Sequence, residues 1–185
     1  MRTAGLVLAA GAGRRYGGPK APVILDDERL VDRAVRLLRA GGCDPVVVVL
    51  GAWIGDVARA QVVVNDDWRS GMAGSLRVGL AALGDNIDRV VVALVDHVGL
   101  TQAAVARLVA SPARLAASAY EGERRNPVLI GREHWASVAE SAVGDSGART
   151  YLDAHADEVD LVEVGDVATP DDLDRPTRSA RSPDR

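Results

Sequence analysis

The chain has 185 residues, a length that suits one domain around one core. Hydrophobic residues make up 48% and charged residues 26%, which excludes a globally disordered chain. A net charge of -4 argues against a nucleic-acid binder that works by bulk electrostatics, and the single cysteine, Cys43, excludes an internal disulfide and fits a reducing cytoplasm.

Phe is absent, so the core must be built from Val, Leu, Ile and Ala. The opening MRTAGLVLAAGAG holds an apolar run too short for a membrane span, with its charges misplaced for a signal peptide. Residues 4–10 read as a buried strand. Residues 30–40 carry a helical stripe at Val31, Ala34, Val35, Leu37 and Leu38, stopped by Gly41 and Gly42. Residues 45–50 form a nearly pure valine strand and 61–65 a shorter one. Residues 74–83 are helical, and 89–95 are a third strong strand. Thr101 caps a helix reaching residue 110. Strands follow at 115–120 and 127–130. Ser146 caps a helix through residue 155, and 160–164 adds a strand. Thr169-Pro170 offers an N-cap with proline at the first helical position. Residues 176–185, rich in Arg, Ser and Pro, read as a disordered tail after a domain at 1–175.

Continuous apolar strands separated by helices predict a single-domain, three-layer α/β/α fold with a mostly parallel sheet. In such sheets ligands bind beyond the carboxyl ends of the strands. The first strand runs into LAAGAGRRYGGPKAP. Gly11 and Gly13 let backbone N–H groups approach a phosphate, and Arg14, Arg15 and Lys20 place three cations in the same loop with no acid between them. Lys20 is the only lysine in the chain, which points to a need for a compact point charge there. The Walker pattern fails, because Pro19 stands where its lysine belongs. The dinucleotide fingerprint fails because Gly17 comes one residue late.

Asp96 stands at the end of the valine-rich strand 89–95. A carboxylate there needs a partner or a metal, and one carboxylate plus substrate phosphates suits Mg2+. Arg124 and Arg149 are candidates for holding an anionic acceptor. The three histidines, His97, His134 and His155, show no metal-ligand spacing.

LAAGAGRRYGGPK resembles the L-A-A/G-G-x-G/S-x-R-x-G-x-x-K signature of the MobA-like NTP transferases, through Leu8, Ala9, Ala10, Gly11, Gly13, Arg15, Gly17 and Lys20. NDDWRSGMAGSLRVGL, RRNPVLIG, GDSGART and DVATPDDL resemble further segments of that family, in order, over nearly the whole chain up to the tail. The resemblance implies a Rossmann-like fold of the nucleotide-diphospho-sugar transferase type. It implies a nucleotidyltransferase that moves a nucleoside monophosphate onto molybdopterin and releases pyrophosphate, with Arg15 and Lys20 catalytic. It places Asn65 and the loop from Gly71 to Ser75 around the base and ribose. It implies Mg2+ on Asp96, within a D-Q-P motif that here reads Asp96-His97-Val98, and Asp166 as a candidate second carboxylate; Ala168 replaces a further polar residue.

LAAG and PVLIG resemble the cytidylyltransferase branch, so CTP is expected first and GTP second. The acceptor implied is molybdopterin, with a molybdenum hydroxylase as client. The alternatives are a nucleotidyltransferase acting on another phosphorylated metabolite, an inactive chaperone for the molybdenum cofactor, and a dinucleotide-binding oxidoreductase.

Overall fold

The computed structural model describes residues 1–176 and 180–182. Its centre is a seven-stranded sheet of β1 (Thr3–Leu8), β4 (Val46–Leu50), β5 (Gln61–Val64), β6 (Arg89–Leu94), β7 (Leu115–Tyr120), β8 (Glu123–Gly131) and β9 (Asp160–Glu163). The strand order is β5-β4-β1-β6-β8-β7-β9. The pairs from β5 to β6 are parallel, as is β7 with β9, while β8 runs antiparallel to both its neighbours. The sheet is mostly parallel, as expected. The exception arises because β7 and β8 form a hairpin, turned at Glu121 and Gly122, both at positive φ.

Two helical layers cover the sheet. Successive residues of one strand serve opposite faces. Val46, Val48 and Leu50 face a core shared with α1 (Leu30–Ala40) and α3 (Gln102–Ala110). Val47 and Val49 face one shared with α2 (Met72–Ala81), α4 (Trp135–Ser141) and α5 (Arg149–Ala154). All of β4 is buried, which explains its unbroken valine run. The stripe expected on α1 is buried in full, and Thr101 caps α3 by accepting from the Ala104 amide at 3.2 Å. No helix among the described residues is long and apolar enough to cross a membrane.

Four expectations need correction. The helix expected from Ser146 starts later, at Arg149; the Ser146 hydroxyl instead donates to the Val143 carbonyl at 2.8 Å. Thr169-Pro170 opens no helix. The Thr169 hydroxyl donates to Asp171, and the segment after it lies against the end of β6, through a bridge from His97 to Asp172 and a bond from Leu173 N to the Asp96 carbonyl at 2.9 Å. The 127–130 strand extends to Glu123. In the expected tail, Ala180–Arg181 forms β10, antiparallel to β2 (Ile24–Leu25), which also pairs with β3 (Glu28–Arg29). Residues 177–179 and 183–185 of that tail lie outside the described residues.

Candidate active site

A cleft of about 360 Å³ opens beyond the carboxyl ends of β1 and β6. The loop after β1 forms one wall. Its shape comes from one carbonyl: Gly13 O accepts from the amides of Tyr16, Gly17 and Gly18 at 2.9, 2.9 and 3.2 Å. Gly13 has φ +57, and a Cβ there would lie 2.0 Å from Gly18 O, so only glycine fits. No backbone hydrogen bond among the described residues uses the amides of residues 11–14. These donors, beside Arg14 and Lys20, are the equipment of a phosphate cradle.

Leu8, Ala9, Ala10, Gly11, Gly13, Arg14 and Lys20 all line the cleft, as do Gly71, Ser75 and Asp96. Lys20 Nζ lies 2.7 Å from Asp96 Oδ2 and 3.5 Å from Asp174 Oδ1, with its side chain only 11% exposed. Arg15 does not line the cleft; it points outward and meets Asp174 Oδ2 at 3.4 Å. Asp174 thus ties the phosphate-loop cations to the C-terminal segment. Asp172 lies in the same electrostatic cluster. Desolvation, then the neighbouring Asp96 charge, hold its carboxyl above the usual range.

Three carboxylates, Asp96, Asp172 and Asp174, share the cations Lys20 and Arg15, which leaves one excess negative charge and fits a divalent cation. Among the described residues no three His, Cys, Asp or Glu side chains form a cage for a metal by themselves. That fits a cation that takes one or two carboxylates and completes its shell from phosphates and water.

The other wall follows β5. Asn65 is buried behind the cleft rather than in it: its amide donates to Ser75 Oγ at 3.0 Å, and its carbonyl accepts from Asp67 N at 3.1 Å. It positions Ser75 and the 65–67 turn. Gly71 has φ +111, and a Cβ there would meet the Gly144 backbone at 2.5 Å. This close approach lets Ala73 N reach Gly144 O at 2.9 Å and Met72 N reach Asp145 Oδ1 at 3.3 Å. The GDSGART segment therefore holds the first turn of α2, and Asp145 enters the cleft lining.

The structure separates three expected residues from the site. Asp166 is paired twice with Arg107, including a contact of 2.7 Å, which holds its carboxyl below the usual range. Asp166 does not line the cleft, whereas Asp174 lies 3.5 Å from Lys20 Nζ at its edge. Arg124 pairs with Asp153 and the Leu152 carbonyl, and the exposed Arg149 lies 3.8 Å from Asp153. Neither lines the cleft: Arg124 ties β8 to α5, and Arg149 pairs within α5 on the exposed surface. Met72, within the expected loop from Gly71 to Ser75, lines the cleft, as do Trp68, Arg69 and Asp145, which were not singled out from sequence. The NDDWRSGM segment held the signal for Trp68 and Arg69; nothing in the chain order marks Asp174.

A family model described as MobA-like NTP transferase domain matches residues 5–159. The chain is 40% identical over 186 residues to nicotine blue oxidoreductase of Paenarthrobacter nicotinovorans, covering 92% of this chain and 91% of that one. It is 39% identical over 84 residues to a probable molybdenum cofactor guanylyltransferase of Opitutus terrae, covering 43% of this chain and 42% of that one. Among solved structures, it resembles a Mycobacterium sp. strain JC1 homolog of Mycobacterium tuberculosis Rv0371c, with a TM-score of 0.81 and 27% identity, covering 95% of this chain and 92% of that one.

Proposed function

We propose that this chain, which belongs to the MobA-like NTP transferase family, moves a nucleoside monophosphate from CTP onto the phosphate of a molybdopterin-type acceptor. A phosphate oxygen of the acceptor attacks the α-phosphorus, the new P–O bond forms, the bond to the β-phosphate oxygen breaks, and pyrophosphate leaves. The observation that carries this reading is the junction of Lys20, Asp96 and Asp174 at the mouth of a phosphate loop with free amides.

The unused amides of residues 11–14 and the Arg14 guanidinium bind and orient the triphosphate. Lys20 neutralises charge on the departing pyrophosphate, with Arg15 adding positive charge at the edge of the site. Asp96 and Asp174 would hold a magnesium ion, which supplies charge neutralisation on the phosphates. No side-chain base is needed, because a phosphate monoester is already ionised near neutrality. Ser75, fixed by Asn65, faces the ribose side. The molybdopterin acceptor draws support from the partial likeness to the molybdenum cofactor guanylyltransferase. Pyrophosphate release, measured with each NTP in the presence and absence of molybdopterin, tests the reading; no release with any pair refutes it.

The 40% identity to an oxidoreductase over nearly both chains favours a second reading. In it the same cradle holds the phosphates of a hydride-carrying dinucleotide, and the substrate is reduced or oxidised in the cleft. Absorbance of a reduced nicotinamide dinucleotide, followed with the same protein, separates the two.

A further inference from the structure

The arginines of this chain are mostly engaged. Arg36, Arg107, Arg114 and Arg132 reach carboxylates, and Arg33 and Arg89 reach carbonyls. Two that line the cleft behave differently. Neither Arg14 nor Arg69 has an ion-pair or hydrogen-bond partner among the described residues. The acids of the cleft are otherwise occupied. Asp96 is paired with Lys20, and Asp145 accepts from the Met72 amide. Arg69 nevertheless has a fixed place: its guanidinium carbon sits 4.3 Å from the centroid of the Trp68 ring. A cation stacked on an indole keeps its N–H edges available, and a planar guanidinium matches two oxygens of a phosphate at once.

We propose that Arg69 forms a second phosphate subsite in the cleft, specific for a phosphate monoester dianion and separate from the triphosphate cradle. Arg69 and the cradle line the cleft from different elements. The cradle leaves the end of β1, whereas Arg69 follows β5, two positions away in the strand order. A triphosphate held at Lys20 and at the amides of residues 11–14 needs no further arginine on that side. A dianion brought by a second group does. Two molecules carry that chemistry: an acceptor with a terminal phosphate, or a nucleotide with an extra phosphate on its ribose. The subsite deepens the proposed transfer reaction, and rests on it only for the first of these sources.

The test is binding, by calorimetry, to wild type, Arg69→Ala, Arg69→Lys and Arg36→Ala. The first arm titrates inorganic phosphate into protein saturated with magnesium and a non-hydrolysable CTP analogue. The second compares NADPH with NADH, which differ by one ribose phosphate. For an acceptor subsite, phosphate binds on top of the analogue and Arg69→Ala weakens it at least tenfold, with Arg69→Lys intermediate and Arg36→Ala unchanged. For a ribose-phosphate subsite, Arg69→Ala removes the preference for NADPH and leaves NADH unaffected. Arg69→Ala binding as wild type in both arms overturns the subsite, as does a wild type that takes up neither phosphate nor NADPH in preference to NADH. Absence of CTP binding with the NADPH effect intact removes the transfer reading and keeps the subsite. Arg69 is exposed, so thermal unfolding should be the same for wild type and both Arg69 variants and serves as the control for folding.

Discussion

Lys20 and Asp96, 76 positions apart in the chain, meet through a 2.7 Å contact between Nζ and Oδ2. The contact joins the phosphate loop to the end of β6. It gives the only lysine a geometric reason, since a small ammonium reaches Asp96 and Asp174 together in a space where its side chain is 11% exposed.

A guanidinium is wider and planar, and cannot occupy that point without moving one carboxylate. Lys20→Arg is therefore expected to lower turnover at saturating nucleotide at least tenfold, about 1.4 kcal/mol in barrier terms, nearly as much as Lys20→Ala. Steady-state kinetics with thermal unfolding as a control checks this. If Lys20→Arg retains more than about a third of wild-type turnover, under about 1 kcal/mol, the point-charge argument fails.

The carboxylates should sort by place in the fold. Asp96→Asn and Asp174→Asn are expected to raise the magnesium concentration needed for half-maximal turnover by tenfold or more. Asp166→Asn should leave it unchanged, because that residue is held by Arg107 outside the cleft. A magnesium titration of the three variants decides, and an effect at Asp166 equal to that at Asp96 would reverse the assignment.

For the nucleotide, CTP should outcompete GTP at equal concentration. Ala9 and Ala10 line the cleft, within the LAAG segment that resembles the cytidylyltransferase branch. Product analysis after competition gives the ratio, and a clear GTP preference would falsify the branch assignment.

Gly13→Ala tests the cradle itself. A methyl group would overlap the Gly18 carbonyl and hold a non-glycine residue at φ +57. Such strain costs of order 1–3 kcal/mol, and relief would open the loop. We expect loss of nucleotide binding with only a modest fall in Tm; unchanged affinity in equilibrium titration would count against the loop as the phosphate site.

Cys43 provides a pH prediction. The thiol is buried, and burial pushes it up to about 12. A thiol with a raised folded-state pKa favours folding while neutral. Its contribution is fully present below the unfolded value of about 8.5 and is lost as pH rises from there toward the folded value. Folded protein at pH 8 should therefore resist thiol reagents and react fully in denaturant. Rapid labelling of the folded protein at that pH would contradict it.

The main elements and the phosphate loop were legible in the chain because their causes are local. A valine run reads as a strand buried on both faces, the α1 stripe reads as one helical face, and Gly11, Gly13 and Lys20 fall within one loop. The α4 helix was missed because, at seven residues, it is too short for a clear period. The small sheet was missed because it closes between residues 24–29 and 180–181, far apart in sequence. Asp166 and Asp174 show the same limit at the site. Both are acids near Thr169, and nothing in their order separates them. Arg107 on α3 captures the first, while Leu173 N, bonded to the Asp96 carbonyl, draws the second to Lys20. Arg124 and Arg149 are likewise set aside by Asp153, and Arg69 pairs with no acid among the described residues. The sequence by itself determined where phosphate-binding chemistry begins. The tertiary structure decided which charges are free to use it, because an ion pair forms between side chains that folding brings within a few ångströms, whatever their distance along the chain.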